Sequence, residues 1–181
     1  MSAAGEPSLR SKQLTGVACA IAALVTLAVV WHWRGLFHVA GPASDDTQGR
    51  LAYVFTWLLL PGLALLIGVV GAGRRGFYRD AIDGTRTPLS PALETNLRYN
   101  TNTVEQVILA AIAWTGLALY LPNDRLAVIP VLAVVFFAGR ITFFVGYLIL
   151  PIARAYGMVL TILPTIIAYA WLTWRLLGNP G

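Results

Sequence analysis

The stretch LAVIPVLAVVFFAGRITFFVGYLIL, Leu126–Leu150, runs for 25 residues with a single charge, Arg140. A helix rises about 1.5 Å per residue, so roughly 20 apolar residues cross the hydrocarbon core of a bilayer. Lipid offers no partner to a backbone N–H or C=O, so such a run spans as a helix whatever its β-branched residues prefer in water. Four more runs read the same way: Leu14 to Trp33, Leu51 to Ala72, Val104 to Leu121 and Tyr156 to Leu177. Short polar linkers separate them, from Arg34 to Arg50, Gly73 to Thr103, Pro122 to Arg125 and Pro151 to Ala155. The expected fold is an all-α integral membrane protein of five spans, with no soluble domain, internal repeat or low-complexity tract.

Composition agrees. Of 181 residues, 57% are hydrophobic and 12% charged, with a mean hydropathy of +0.70. A soluble domain carries about twice that charged fraction to solvate its surface. The chain is basic, but no cationic stripe is interleaved with exposed aromatics, so no nucleic-acid partner is expected. The basic residues report topology instead. Arg10, Lys12, Arg74, Arg75, Arg79, Arg86, Arg98 and Arg154 fall on one side of a five-span chain, and Arg34, Arg50, Arg125 and Arg175 on the other. Eight against four places the first set in the cytoplasm, with the N-terminus inside and the C-terminus on the opposite side. The first run resembles a signal peptide after Arg10 and Lys12. It is too long for that, and only His38 to Ala43 offers a weak cleavage pattern, so a retained helix is expected. Cys19 sits inside this run and reads as an apolar filler. His32 and His38 lack Asp, Glu or Cys at ligand spacing, so no metal site is expected. Trp31, Trp33, Trp171 and Trp174 suit the headgroup belt.

The informative residues are those that lipid excludes. Charged groups inside a bilayer usually face the bundle and find partners. Arg98, Asn102 and Glu105 are spaced i, i+4, i+7, which puts Asn102 and Glu105 within about 40° of Arg98 on one helix face. Arg140 and Tyr147 are likewise seven apart. Counted from the cytoplasmic side, Glu105 is roughly 10 Å and Arg140 roughly 15 Å deep, so the spacing predicts a Glu105–Arg140 pair, within a chain or across a subunit boundary. With Arg154 at the mouth, a cationic, hydroxyl-bearing pocket opens to the cytoplasm and suits a small polyanion with carboxylates. A plainer reading fits the same spacing: an interhelical tie between Glu105 and Arg140, with Arg98 and Arg154 anchored to headgroups.

Arg98-Tyr-Asn-Thr-Asn102-Thr-Val-Glu105 is similar to the Arg-x-x-x-Asn-x-x-Glu motif of the MAPEG family, the membrane-associated proteins of eicosanoid and glutathione metabolism. Gly139-Arg140-Ile141, Tyr147 and Arg154 resemble that family's third helix and the start of its fourth. The resemblance implies a MAPEG-like four-helix membrane domain over residues 51–181, with 1–50 supplying a tail, an additional N-terminal transmembrane helix and a linker. It implies a homotrimer with glutathione sites between subunits, facing the cytoplasm; the expected location is a bacterial inner membrane. It further implies that Arg98, Asn102, Glu105, Arg140 and Tyr147 hold glutathione as cosubstrate. Arg154 or Arg140 would activate the thiol, because a fixed cation favours the thiolate. Departures exist: Phe143 stands where several members have tyrosine, Gln106 where some have tyrosine, and Asn100 where others have histidine or glutamine.

The expected function is that of a membrane-embedded glutathione transferase or peroxidase acting on a small lipophilic electrophile that enters from membrane lipid. The alternative is a non-catalytic lipid-binding or scaffold protein on the same fold. Retention of three arginines favours the enzyme, and Phe143 and Gln106 favour the alternative. Ser90-Pro91 predicts a helix start that projects beyond the membrane, and Asp80 to Arg86 a turn that could lid the pocket.

Overall fold

The computed structural model describes residues 8–36, 39–77, 79, 81–83 and 90–178. Its long helices are α1 (Leu9–Trp33), α2 (Thr47–Gly73), α3 (Pro91–Tyr120), α4 (Val128–Ile149) and α5 (Arg154–Gly178). All five are long and apolar enough to cross a membrane, and the described residues form no strand. The chain is a multi-pass, all-helical membrane protein.

Three helices begin ahead of their apolar runs because a polar residue caps an exposed first turn. The hydroxyl of Ser8 accepts from Ser11 N, Asp46 Oδ1 from Gly49 N at 2.7 Å, and Ser90 Oγ from Leu93 N at 3.4 Å. Such caps satisfy donors that a helix start leaves orphaned. Pro91 at the first position of α3 has no N–H to lose there. The helix therefore starts 13 residues before Val104, a polar extension of roughly 20 Å that carries Arg98 and Asn102.

Packing follows small residues and buried polar groups, as expected where lipid removes the hydrophobic drive between helices. On α4 and α5, Gly139 and Gly157 let the backbones meet. A Cβ at Gly157 would collide with Gly139 O and with the backbone of Phe143. On α2 and α3, Asn96 Nδ2 donates to Gly68 O at 2.8 Å and Tyr99 Oη to Ala64 O at 2.9 Å. The buried core is built around Trp114, Phe136, Leu126, Ile129 and Leu172, with Val54 of α2 against it. At that end Arg50 pairs with Asp45 and donates to Ala118 O and Leu121 O, both at 2.8 Å, filling orphan acceptors at the end of α3.

The helix α1 lies against α5 and the turn before it, with Ala23 its one buried side chain among the described residues. Thr26 and Tyr156 share a hydrogen bond at 3.0 Å, and a Cβ at Gly16 would sit 3.7 Å from Ile152. The start of α1 and the α4–α5 turn thus share one end of the bundle.

Candidate functional site

The site forms where α4 turns into α5. Leu150 adopts an extended conformation, φ −149° and ψ 118°, which ends α4. One short turn, Pro151–Ala153, then delivers Arg154 as the first residue of α5. Gly146 lets this turn fold back on α4: a Cβ there would lie 2.9 Å from Ala153 C and 3.0 Å from Arg154 N. The backbone therefore fixes the origin of the Arg154 side chain.

Arg98, Asn102, Phe143, Tyr147, Arg154 and Met158 line a cavity of about 540 Å³ between α3, α4 and α5. Arg98 Nη1 donates to Tyr147 Oη at 3.3 Å, and its Nη2 pairs with Glu94 at 2.5 Å. The guanidinium of Arg154 stacks on the ring of Tyr147, with Cζ 4.6 Å from the centroid. No hydrogen bond or ion pair joins the Arg154 side chain to another described residue. A phenol that accepts from a guanidinium keeps its own proton to donate, so Tyr147 adds a neutral donor to two cations. Four of the six expected site residues come together in this way.

Arg140 stands elsewhere. It is fully buried between α3 and α4, behind the cavity wall, with Nη1 2.9 Å from Asn102 Oδ1 and Nη2 2.9 Å from Thr103 Oγ1. The ring of Phe143 lies 4.1 Å from its Cζ and that of Tyr99 5.2 Å. The expected Glu105–Arg140 pair does not form within the chain. Glu105 is exposed on α3 and does not line the cavity. Two residues along a helix is about 200° of rotation, so Glu105 points away from the side on which Thr103 meets Arg140.

Thr103 and Met158 are not among the expected contact residues, and Phe143 is expected only as a departure from a tyrosine. Helical spacing gave a signal for two of them: Met158 follows Arg154 by four residues, and Phe143 precedes Tyr147 by four. Gln106 turns into the bundle at 3% exposure, with its Oε1 unpartnered among the described residues. Asn100 Oδ1 accepts from Asn96 at 3.4 Å beside α2. Of the loop from Asp80 to Arg86, only 81–83 are described: they form a turn, and Ala81 O accepts from Arg75 Nε at 3.0 Å. The lid expectation otherwise lies outside the described residues, as does His38.

Along the same α3–α5 seam, an apolar groove of about 820 Å³ is lined by Leu109, Ile162, Ile166, Tyr169 and Trp174. Leu109 is two turns beyond Asn102, and Ile162 one turn beyond Met158, so polar cavity and apolar groove lie end to end.

The family model of the MAPEG family matches residues 50–174, which spans α2 to α5 almost completely. The chain belongs to the MAPEG family. No curated protein and no solved structure matches it. Membership of MAPEG associates the chain with glutathione or eicosanoid metabolism in general. The MAPEG match begins at Arg50, beyond α1, and contains every residue that lines the cavity.

Proposed function

We propose that this protein is a membrane-embedded glutathione transferase or peroxidase whose lipophilic electrophile arrives from the bilayer. The observation that carries the reading is the convergence of Arg98, Asn102, Tyr147 and Arg154 on one cavity. Two guanidiniums, a phenol and an amide suit a ligand with two carboxylates and a thiol, so the donor set fits glutathione. Bound glutathione supplies a thiol whose anion is a nucleophile toward electrophilic carbon and peroxides. Arg154 is the cation with no competing partner, and it favours that anion over the neutral thiol, whose ordinary pKa is about 8.5. Arg98 clamps a carboxylate with the donors that Glu94 and Tyr147 leave free. Glu105, exposed one turn deeper on α3, is available to an ammonium group. The apolar groove along the α3–α5 seam holds the tail of the second substrate next to the sulfur.

The same reading makes the protein a homotrimer with its N-terminus and cavity in the cytoplasm. Large apolar side chains on the outer faces of α2 and α3, such as Leu59, Val70 and Ile112, are available to neighbours or lipid. Phe143 favours a second reading, a lipid-binding or scaffold protein, because its ring offers hydrocarbon where a hydroxyl would add a donor. Calorimetry with glutathione on the detergent-solubilised protein separates the two. Binding that is lost in Arg98→Leu supports the enzyme, and heat no greater than that of dilution supports the scaffold.

A further inference from the structure

We infer that Arg140 is a positioning residue, whose task is to turn the amide of Asn102 so that its NH2 group faces the cavity. The inference rests on the proposed binding of an anionic ligand there. A carboxamide has two unlike ends, an oxygen that accepts and a nitrogen that donates. Asn102 Oδ1 accepts from Arg140 Nη1 at 2.9 Å, so the oxygen is committed to the buried side and the nitrogen is left for the cavity that Asn102 lines. With that amide reversed, a buried cation would lose its acceptor and the ligand would face a lone pair.

Arg140 cannot easily turn away. Its Nη2 donates to Thr103 Oγ1 at 2.9 Å, and that hydroxyl spends its own proton on Tyr99 O at 2.6 Å. The Thr103 oxygen can therefore only accept from Arg140, which fixes the polarity of the contact. The rings of Phe143 and Tyr99 bound the guanidinium, and Nε has no partner among the described residues. No carboxylate pairs with Arg140 among the described residues, so a full positive charge sits behind a wall made by Asn102 and Phe143. Every polar side chain that lines the cavity then presents a donor: Arg98, Asn102, Tyr147 and Arg154. The part of the ligand that meets Asn102 is an acceptor, a carboxylate oxygen or the thiolate sulfur, and not its ammonium.

The test compares wild type, Asn102→Asp, Asn102→Ala, Arg140→Lys and the Asn102→Ala/Arg140→Lys double variant. Glutathione binding is read by calorimetry and folding by melting temperature in detergent. Asn102→Asp keeps the oxygen for Arg140, adds its missing counter-charge and removes the donor. It should melt at or above the wild-type temperature yet bind glutathione about tenfold more weakly, or worse, as expected for losing a hydrogen bond to a charged group. Arg140→Lys alone should weaken binding, and in the Asn102→Ala background it should add no further loss, because Arg140 acts through Asn102. Wild-type affinity in Asn102→Asp, or additive losses in the double variant, would overturn the inference. A wild-type protein that binds no glutathione sinks the functional reading, while a lowered melting temperature in Asn102→Asp separately refutes the coupling of Arg140 to Asn102.

Discussion

Tyr147 of α4 is held between two arginines: its hydroxyl accepts from Arg98 at 3.3 Å and its ring carries the guanidinium of Arg154 at 4.6 Å. One side chain thus ties Arg98 on α3 to Arg154 on α5. Tyr147→Phe keeps the stacking surface and removes the acceptor. It should weaken glutathione binding by about 1 kcal/mol, the net worth of a typical hydrogen bond, with little effect on the thiol. Tyr147→Leu should cost more, because the stacking of Arg154 is lost as well. Calorimetric titration of the two variants checks the order.

Gly157 tests whether backbone contact between α4 and α5 sets the site. An added methyl meets Gly139 O and the Phe143 backbone, neither of which can move aside as a side chain would. Gly157→Ala should destabilise the bundle by about 1–3 kcal/mol, the usual cost of overpacking. Gly62→Ala is the control, since a Cβ there has nothing within 4 Å. Thermal denaturation in detergent should show a lower melting temperature for the first and no fall for the second.

Glu105 gives the opposite expectation. Because it is exposed and unpaired with Arg140, Glu105→Gln should leave the melting temperature unchanged. Its effect should fall on glutathione affinity, through the ammonium it is proposed to meet. A large loss of stability would restore the ion pair that the sequence suggested.

That pair shows where the sequence ran out. Depth along a helix follows from counting residues, and the levels of Glu105 and Arg140 were estimated from it. Which face of α3 meets α4 depends on packing that no count supplies. It is set by Asn96 and Tyr99 docking on α2 and by Gly139 and Gly157 closing α4 on α5. The five spans and the Ser90 cap were legible because they follow from apolar length and cap chemistry, and the meeting of Arg98, Tyr147 and Arg154 because counted depth puts all three near the mouth at one end of the bundle. The burial of Arg140 behind Asn102 was not, since helical spacing does not say which neighbour Thr103 and Phe143 will meet.

Asp46 caps α2 outside the membrane, and its pH dependence follows from its partners. The Ser44 hydroxyl first, and the Gly49 N–H second, hold its carboxyl below the ordinary value of 3.8. A depressed folded-state pKa means the contribution to stability is present above the unfolded value and disappears as pH falls through the folded one. The melting-temperature difference between wild type and Asp46→Ala should therefore be constant near neutrality and shrink once the pH drops below 3.8. A gap that stays the same in acid would show that the charge of Asp46 contributes nothing.

The most direct test of the account is the ionisation of glutathione in the cavity. Thiolate absorbs near the ultraviolet edge, so mixing protein and glutathione at neutral pH should give a difference spectrum accompanied by proton release. In Arg154→Leu the bound thiol should titrate at higher pH while much of the binding is retained. In Arg98→Leu binding should fall, and the pKa of whatever glutathione still binds should change little. Wild-type protein that binds glutathione at neutral pH without forming thiolate would contradict the enzyme reading and leave the scaffold in its place.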